Sequence, residues 1–187
     1  MLKVLITHAV NDELITVNWA GCEVKYVRTG IGKVKATIRL MDDLAQEHPD
    51  LVINIGTAGA VNHSVGDVFV CRHFIDRDLQ KVGCLDLEHE IDSSALLQEK
   101  GYCSDWKHQG VCNTGDSFLT ETADSHGDVF DMEAFAQAQV CQMKNIPFIS
   151  VKYVTDKIGE NSIKHWEDKL ADAREGLSEF LNNLLLL

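Results

Sequence analysis

Short β-branched runs alternate with longer amphipathic segments along this chain of 187 residues. Such alternation is typical of strands that feed helices covering a largely parallel or mixed sheet. The sequence therefore predicts an α/β fold with three layers, α/β/α, around a central mixed, largely parallel twisted sheet. The length, with 45% hydrophobic and 25% charged residues, predicts a single domain over residues 1–187.

The same pattern predicts the individual elements. Apolar and β-branched runs predict strands at residues 3–7, 23–28, 51–55, 67–74, 110–113 and 148–155. Amphipathic periodicity predicts helices at residues 33–47, 93–100, 132–143 and 163–184, and His48-Pro49 ends the first of them. Residues 76–90 show no clear period and are predicted to form a loop.

Charge and cysteine content exclude several classes of protein. A net charge of −12, from 29 acidic and 17 basic residues, argues against nucleic acid binding, which needs clustered cations. A neutral or cationic small molecule suits this acidic chain better than a nucleic acid does. The six cysteines are widely spaced and contain no Cys-x-x-Cys pair, which predicts reduced thiols and a cytoplasmic protein. The apolar stretch at the start spans only about five residues, too few for a signal peptide or a membrane span.

Three glycine-containing segments follow predicted strands: GIGK (30–33), NIGTAGA (54–60) and NTGDSF (113–118). Because ligands bind at the carboxyl ends of strands in open α/β sheets, these segments are expected to converge on one pocket. GIGKV is not a nucleoside triphosphate loop, since Val34 stands where that motif needs Ser or Thr. Residues 56–61 also lack the glycine spacing of a dinucleotide site. Taken singly, each segment is more often a tight turn than a ligand site.

Four acidic residues interrupt apolar surroundings and are candidates for chemistry: Glu13, Asp131, Glu133 and Asp156. A carboxylate at the end of a strand is well placed for proton transfer. Helix capping would equally explain Asp131 and Asp156, and a solvated surface position would explain Glu13. No histidine or cysteine spacing indicates a metal site and no serine lies in a nucleophile motif, so neither a metal nor a covalent acyl intermediate is expected.

Seven segments stand in a characteristic order: the loop at Glu13, TGIGKVKAT (29–37), LVINIGTAGAV (51–61), VGDVFV (65–70), NTGDSFL (113–119), FDMEAFAQAQVC (130–141) and PFISVKYVTD (147–156). Together they resemble the methylthioadenosine and S-adenosylhomocysteine nucleosidases of the nucleoside phosphorylase superfamily. The resemblance implies the nucleoside phosphorylase type of fold. It also implies hydrolysis of the N-glycosidic bond of an adenosine-type nucleoside, giving adenine and the free ribose derivative, with no cofactor and no metal.

The resemblance assigns catalytic roles to particular residues. It implies that Asp156 is the general acid, oriented by the neighbouring Thr155. Glu133 and Met132 would hold the ribose, and Glu13 would position the attacking water. Adenine leaves poorly as an anion, so an acid must protonate N7 while the sugar becomes an oxocarbenium-like cation. Asp156 can act in this way only if its pocket raises its pKa, and the apolar strand before it favours such desolvation.

Purine recognition is also implied by the resemblance. Phe118 would stack on the base, the backbone of Leu119 would hydrogen-bond its edge, and Thr57 would face the ribose and the water. The expected partner is a small-molecule nucleoside, with no nucleic acid and no membrane. A homodimer is expected as well, in which the partner closes the 5′ end of the pocket and residues 74–90 make the contact.

The nucleophile and the chemistry are not settled by the residues alone. The first loop, THAVNDE, carries Glu13 and no arginine, which favours water because phosphate needs cationic partners. Arg28 and Arg72 could supply such partners, so a phosphate-dependent phosphorylase is an alternative. A futalosine-type hydrolase and a non-catalytic nucleoside-binding protein of the same fold stay open as well.

The chain departs from the family pattern at three places. Only about 16 residues separate Glu13 from Gly30, where relatives usually have a helix and an additional strand. Lys152 stands where these nucleosidases usually carry arginine, and Asp131 replaces a more usual glutamate. These departures concern the substrate more than the fold.

Overall fold

The computed structural model describes residues 1–82, 87–102, 105–121, 126–160, 162–184 and 186. These residues form eight strands: β1 (Leu2–His8), β2 (Cys22–Arg28), β3 (Leu51–Ala60), β4 (Val68–Asp76), β5 (Glu90–Asp92), β6 (Gln109–Thr114), β7 (Val129–Asp131) and β8 (Phe148–Lys157). They also form five helices: α1 (Lys33–Leu44), α2 (Arg77–Gln80), α3 (Ser94–Glu99), α4 (Ala134–Lys144) and α5 (Ser162–Asn182). A short 3-10 turn, Asn11–Glu13, follows β1.

All eight strands belong to one mixed sheet. Pairing is parallel for β1 with β2, β1 with β3, β3 with β8, β4 with β6 and β6 with β7, and antiparallel for the other three pairs. Strand β8 pairs with both β3 and β4, and the chain of pairings β4–β6–β7 returns to β3 at Gly59 and Phe130. These five strands therefore form a closed ring, with β1, β2 and β5 outside it. The predicted central mixed, largely parallel sheet is confirmed.

Helices cover the sheet on two faces. Alternate residues of β3 divide between two cores, because successive side chains of a strand point to opposite faces. Val52 lies in the core with Leu40 of α1 and Phe135 of α4. Its neighbour Ile53 lies in the other core with Leu177 of α5. The three-layer α/β/α arrangement predicted from the sequence is thus confirmed.

Strand β3 differs from its prediction. It runs to Ala60 instead of ending at residue 55, so NIGTAGA is part of a strand and not a loop after it. The main chain keeps pairing with β8 through this segment. Its glycines leave room for carboxyl groups, since a Cβ on Gly56 would lie 3.0 Å from Glu13 Oε1 and one on Gly59 would lie 3.0 Å from Asp156 Oδ2.

The predicted loop at residues 76–90 is wrong in part. It contains the end of β4, the helix α2 and the first residue of β5, while residues 83–86 lie outside the described residues. The Asp76 side chain caps α2 by accepting hydrogen bonds from the N–H groups of Asp78 and Leu79. Phe74 is fully buried against Phe148, so the first part of the segment predicted to contact a partner, residues 74–90, belongs to the core.

Other boundaries shift by a few residues. Helix α1 ends at Leu44 instead of residue 47, and α4 begins at Ala134 because the two residues before it line the site. The three-residue strands β5 and β7 were not predicted, since neither is long enough to show an alternating pattern. In the part of the chain that the structure describes, no helix is both long and apolar enough to cross a membrane.

Candidate active site

A cavity of about 250 Å³ lies where the ends of several strands meet. The three glycine segments contribute Ile31, Thr57, Gly59 and Phe118 to its lining, so the predicted convergence on one pocket is confirmed. Seven of the eight site residues expected from the sequence line the cavity: Glu13, Thr57, Phe118, Leu119, Met132, Glu133 and Asp156. The eighth, Thr155, is fully buried behind Asp156.

Glu13 is held by four hydrogen bonds. Its Oε1 accepts from the N–H of Thr57 at 2.8 Å and from the Thr57 hydroxyl at 2.9 Å. Its Oε2 accepts from the N–H groups of Ala9 and Val10 at 3.1 and 3.2 Å. The side chain is only 5% exposed, so the solvated surface position is ruled out. Trp166 Nε1 donates to the Thr57 hydroxyl at 2.8 Å and extends the network to α5.

Asp156 stands at a β-bulge. Ala58 of β3 pairs with Val154, but the next residue, Gly59, pairs with Asp156, so Thr155 is an extra residue in β8. A bulge breaks the two-residue alternation and re-aims the adjacent side chains, which is a common feature next to active sites. The Thr155 hydroxyl lies 2.9 Å from Asp156 Oδ1. Asp156 is part of a strand, so the helix-capping interpretation is wrong for this residue.

Glu133 lies in the site with its pKa shifted to neutrality. Its Oε1 accepts a hydrogen bond of 2.8 Å from the N–H of Gly32, at the start of α1. Burial, together with the negative charge of Asp131, raises the pKa of Glu133 to about 7, although Lys152 and the Gly32 hydrogen bond oppose the shift. Near neutral pH this carboxyl group can therefore hold or release a proton.

Asp131 and Lys152 form a buried ion pair next to Glu133. Lys152 Nζ lies 2.8 Å from Asp131 Oδ2, and the same oxygen accepts a hydrogen bond from the N–H of Ala134. The helix-capping interpretation of Asp131 is therefore correct only in part, because Asp131 accepts the N–H of the first residue of α4 but the N-cap position itself is Glu133. Burial raises the pKa of Asp131, but attraction to Lys152 and the Thr114 hydroxyl hydrogen bond lower it by more, so that it stays below its ordinary value. Burial likewise lowers the pKa of Lys152, and attraction to Asp131 outweighs this and keeps it above its ordinary value.

The segment of residues 115–119, called the base loop below, forms another wall of the cavity. It follows β6 and contributes Phe118 and Leu119 to the lining. Phe118 is 37% exposed, unlike the buried carboxyl groups. Arg77 also lines the cavity and donates hydrogen bonds to the carbonyl oxygens of Gly115 and Ser117. The base loop is thus held by hydrogen bonds to its main chain and by the Asp116 carboxylate, which accepts a hydrogen bond of 2.8 Å from the N–H of Lys33.

Outside the glycine segments, the sequence analysis missed several lining residues: Ala9, Val10, Arg77, Phe130, Ile158 and Trp166. Trp166 has the helical spacing of the buried residues Ala173 and Leu177, so the pattern of the last helix predicts a core residue there. Arg77 lies in the segment that was predicted to be a loop. No local signal marks Arg77, because the residue that follows the apolar run of β4 is Asp76 and Arg77 is the first residue of α2.

The described residues offer no group of three or more His, Cys, Asp or Glu side chains that could hold a metal ion. His63 and His73 each pair with a separate acidic residue, Asp128 and Glu90. The acidic groups of the cavity are instead engaged by N–H and hydroxyl donors. This arrangement suits the transfer of protons and the binding of hydroxyl groups.

Residues 5–186 match the family model described as the Phosphorylase superfamily, and the fold and this match place the chain in that superfamily. It is 30% identical over 184 residues to the 5′-methylthioadenosine/S-adenosylhomocysteine nucleosidase of Bacillus subtilis, an alignment that covers 86% of this chain and 80% of the relative. It is 29% identical over 196 residues to the nucleosidase of the same name from Bacillus velezensis, with coverage of 92% and 85%. The chain belongs to this family of nucleosidases.

Solved structures of similar fold carry the same family name. The S-adenosylhomocysteine nucleosidase of Streptococcus pyogenes, in complex with 5-methylthiotubericidin, has a TM-score of 0.77 at 22% identity and is matched over 98% of this chain and 97% of that one. The Helicobacter pylori nucleosidase with butyl-thio-DADMe-Immucillin-A has a TM-score of 0.79 at 18% identity, over 97% and 96%. The fold of the family is therefore present in this chain.

Proposed function

We propose that this chain is an N-glycosyl hydrolase that cleaves methylthioadenosine or S-adenosylhomocysteine to adenine and the free ribose derivative. One observation carries the proposal: the buried side chains of Glu13, Glu133 and Asp156, from three separate elements, line a single cavity together with Phe118. The relatives described above are named for these two nucleosides. Cleavage of an N-glycosidic bond needs an acid for the base and acidic groups for the sugar and the water.

Asp156 is the general acid of this proposal. Its proton passes to N7 of the purine, while the electron pair of the glycosidic bond moves onto the base. The Thr155 hydroxyl lies 2.9 Å from Asp156 Oδ1 and 3.4 Å from the carbonyl oxygen of Ala58. It can therefore donate to the ionised carboxylate, or turn to the carbonyl and accept from the protonated acid. The Thr155 hydroxyl at the bulge can thus form a hydrogen bond with Asp156 in both its protonated and its ionised form.

Glu133 and Glu13 act on the sugar and the water. Ionised Glu133 accepts hydrogen bonds from the ribose hydroxyls and favours the positive charge that develops on the sugar. Met132 lies beside it in the cavity and packs against the ribose. Glu13 accepts the proton of the attacking water. Thr57, which lines the cavity and donates a hydrogen bond to Glu13, faces the ribose and the water.

The charges around the cavity favour water over phosphate. Among the described lining residues the only cation is Arg77, whose guanidinium donates to main-chain carbonyls. Arg28 and Arg72, the two arginines that kept a phosphorylase open, do not line the cavity. Arg28 is exposed and bonded to Asn11 instead. A phosphate dianion would need cationic partners at the place where Glu13 lies.

Base release measured on a panel of nucleosides, with and without phosphate, tests the proposal. Methylthioadenosine should release adenine at the same rate in both buffers. Release that depends on added phosphate would identify a phosphorylase, and faster cleavage of inosine or futalosine would change the substrate. Tight binding of adenine by calorimetry without any turnover would reduce the protein to a nucleoside-binding protein.

A homodimer is part of the proposal, and its contact surface is revised. On α1 the side chains of Val34, Ile38 and Met41 are exposed at helical spacing, and exposed Ile31 at the start of the same stripe also lines the cavity. Exposed apolar patches of this kind mark interaction surfaces. The partner would cover this stripe and close the mouth of the cavity. Light scattering should give the mass of two chains, and Ile38→Glu should give one; a monomeric wild type would contradict the dimer.

We also place the enzyme in the cytoplasm. Cys22, Cys71, Cys112 and Cys141, the described cysteines, are all free thiols, which suits a reducing compartment. There the products would feed purine and methionine salvage. Fractionation of cells that express the tagged protein would test this placement.

A further inference from the structure

Arg77 binds the main chain at four points. Its Nη1 donates to the carbonyl oxygens of Asn113 and Asp131, each at 3.0 Å. Its Nη2 donates to the carbonyl oxygens of Gly115, at 3.2 Å, and Ser117. The first two acceptors are at the ends of β6 and β7, and the other two belong to the base loop. One side chain therefore ties the base loop to the strands that carry the acidic part of the site.

The environment of Arg77 indicates a geometric role. The residue is only 4% exposed, and it forms no ion pair with the described residues. Burying a cation is costly unless its donors are matched. Main-chain carbonyls match Nη1 and Nη2, whereas Nε has no hydrogen-bond partner among the described residues. The planar guanidinium can serve several carbonyls at fixed angles, whereas a lysine ammonium cannot. A surface arginine or one serving only charge balance would not need this set of acceptors.

Gly115 shows how closely Arg77 approaches the base loop. A Cβ on Gly115 would lie 2.5 Å from Arg77 Nε and 2.7 Å from its Cγ and Cζ. No side chain fits there unless the arginine or the loop moves. The glycine of NTGDSF is therefore required by this contact.

Asp78, another residue of α2, binds an N–H group of the base loop. Asp78 Oδ2 accepts a hydrogen bond of 3.0 Å from the N–H of Asp116, and Lys33 Nζ lies 2.8 Å from that oxygen. Lys33 also binds Asp76, the residue that caps α2. The start of α2 thus fixes both carbonyl and N–H groups of the base loop.

We propose that Arg77 is a positioning residue for purine recognition, which fixes the base loop so that Phe118 and the main chain of Leu119 meet the base. This inference rests on the proposed function, because the base in question is the purine of that nucleoside. Arg77 acts only through the base loop. Other residues protonate the base, bind the sugar and position the water. Loss of Arg77 should therefore weaken binding of the base more than it slows the chemical step.

The test compares Arg77→Lys with wild type in two measurements. Calorimetry should show that the Kd for adenine rises at least tenfold, and steady-state kinetics should show a similar rise in KM for methylthioadenosine with kcat within about threefold, the pattern of lost binding energy. An arginine that served only the fold would lower the fraction of active protein and leave the Kd of the remaining sites unchanged. That result, or a kcat that falls as much as KM rises, would overturn the inference.

Gly115→Ala provides a second variant in case Arg77→Lys folds poorly. The added Cβ displaces the same contact, so the Kd for adenine should again rise. The double variant should be no weaker than the worse single variant, because both changes act on one interaction. Additive effects would contradict a shared contact. Ile149→Val, in the core away from the cavity, is the matched control that should lower stability and leave the Kd for adenine unchanged.

The two proposals fail in different ways. If wild-type protein binds adenine and turns over nucleoside but Arg77→Lys matches it in KM and Kd, the positioning role is wrong and the enzymatic function stands. If wild-type protein neither binds adenine nor releases it, the proposed function is wrong and the role of Arg77 in purine recognition falls with it.

Discussion

The two sides of the cavity are built in different ways. The acidic side stands on β8, on the residues that follow β7 and on the 3-10 turn after β1, and Glu13, Glu133 and Asp156 are each at most 7% exposed. Under the proposed function the purine side is the base loop, whose Phe118 is 37% exposed and whose position depends on hydrogen bonds with α2. The proposed function would therefore place the chemistry on the buried part of the cavity, and recognition on a segment that can change with fewer consequences for the core.

The largest effect is expected at the acid. Asp156→Asn should lower kcat by about 100- to 10,000-fold, because the variant cannot protonate the leaving base. Adenine binding should change little, since the base loop is untouched. Single-turnover assays with methylthioadenosine would measure the chemical step directly. Normal turnover in this variant would remove Asp156 from its role.

The ion pair should matter for stability. Lys152→Met leaves the Asp131 charge buried without its partner, so the free energy of unfolding should fall by about 3–5 kcal/mol. The double variant Asp131→Asn/Lys152→Met should recover most of this loss, because the asparagine can still cap α4 and no charge is left unpaired. Urea denaturation would measure both. Equal stability of Lys152→Met and wild type would show that the acidic side does not depend on this pair.

The pH dependence should report Glu133. Its pKa of about 7 predicts that kcat/KM rises with pH up to about 7 and then levels, as Glu133 becomes ionised. Glu133→Gln should lose this limb, and at pH 8 its kcat/KM should be about 10- to 100-fold lower, the range for hydrogen bonds to a charged group. If kcat/KM of Glu133→Gln still rose with pH near 7, the titration would belong to another group.

Ionisation of Glu133 should also lower the stability of the fold as the pH rises, whereas it raises kcat/KM. Because folding raises the pKa of Glu133 from 4.5 to about 7, the folded protein holds the proton more tightly than the unfolded chain between these values. Its contribution to stability is therefore present at low pH and is lost as the pH rises through about 7. Glu133→Gln should flatten this part of the stability profile in thermal unfolding scans from pH 4 to pH 8.

The smallest effect is expected on the purine side. Phe118→Ala should raise KM by about tenfold, since stacking of a base on an aromatic ring contributes about 1–3 kcal/mol. Stability should change by less than about 0.5 kcal/mol, because the side chain is partly exposed. Phe118→Tyr keeps the ring and serves as the control. A large loss of stability in Phe118→Ala would mean that the base loop is part of the core after all.

The sequence predicts the acidic side better than the purine side, and the reason is physical. Glu13, Glu133 and Asp156 stand out because each interrupts apolar surroundings at the end of an element. The alternation of strands with helices and the covering of the sheet on both faces also follow from periodicity. The role of Arg77 cannot be seen in the same way, because it depends on carbonyl groups that come together only in the folded chain.

Two other features could not be predicted for related reasons. The extra residue in β8 is a matter of pairing register, and Thr155 looks like any β-branched residue of a strand. Trp166 has the spacing of a core residue, yet its indole N–H reaches Thr57 at the edge of the cavity. Both depend on contacts between distant segments, which local patterns do not record.

The closed ring of β3, β8, β4, β6 and β7 has a consequence for how such proteins can vary in length. Asp131 and Asp156 belong to ring strands, and Glu133 follows one of them, so their spacing is set without β1 and β2. Residues 14–21, between the turn at Glu13 and β2, contain no helix or strand and lie outside the ring. A change of length at this edge would disturb the approach to Glu13 and the packing of Ile15 in the core. Under the proposed function it would leave the acid and the sugar site of the ring in place.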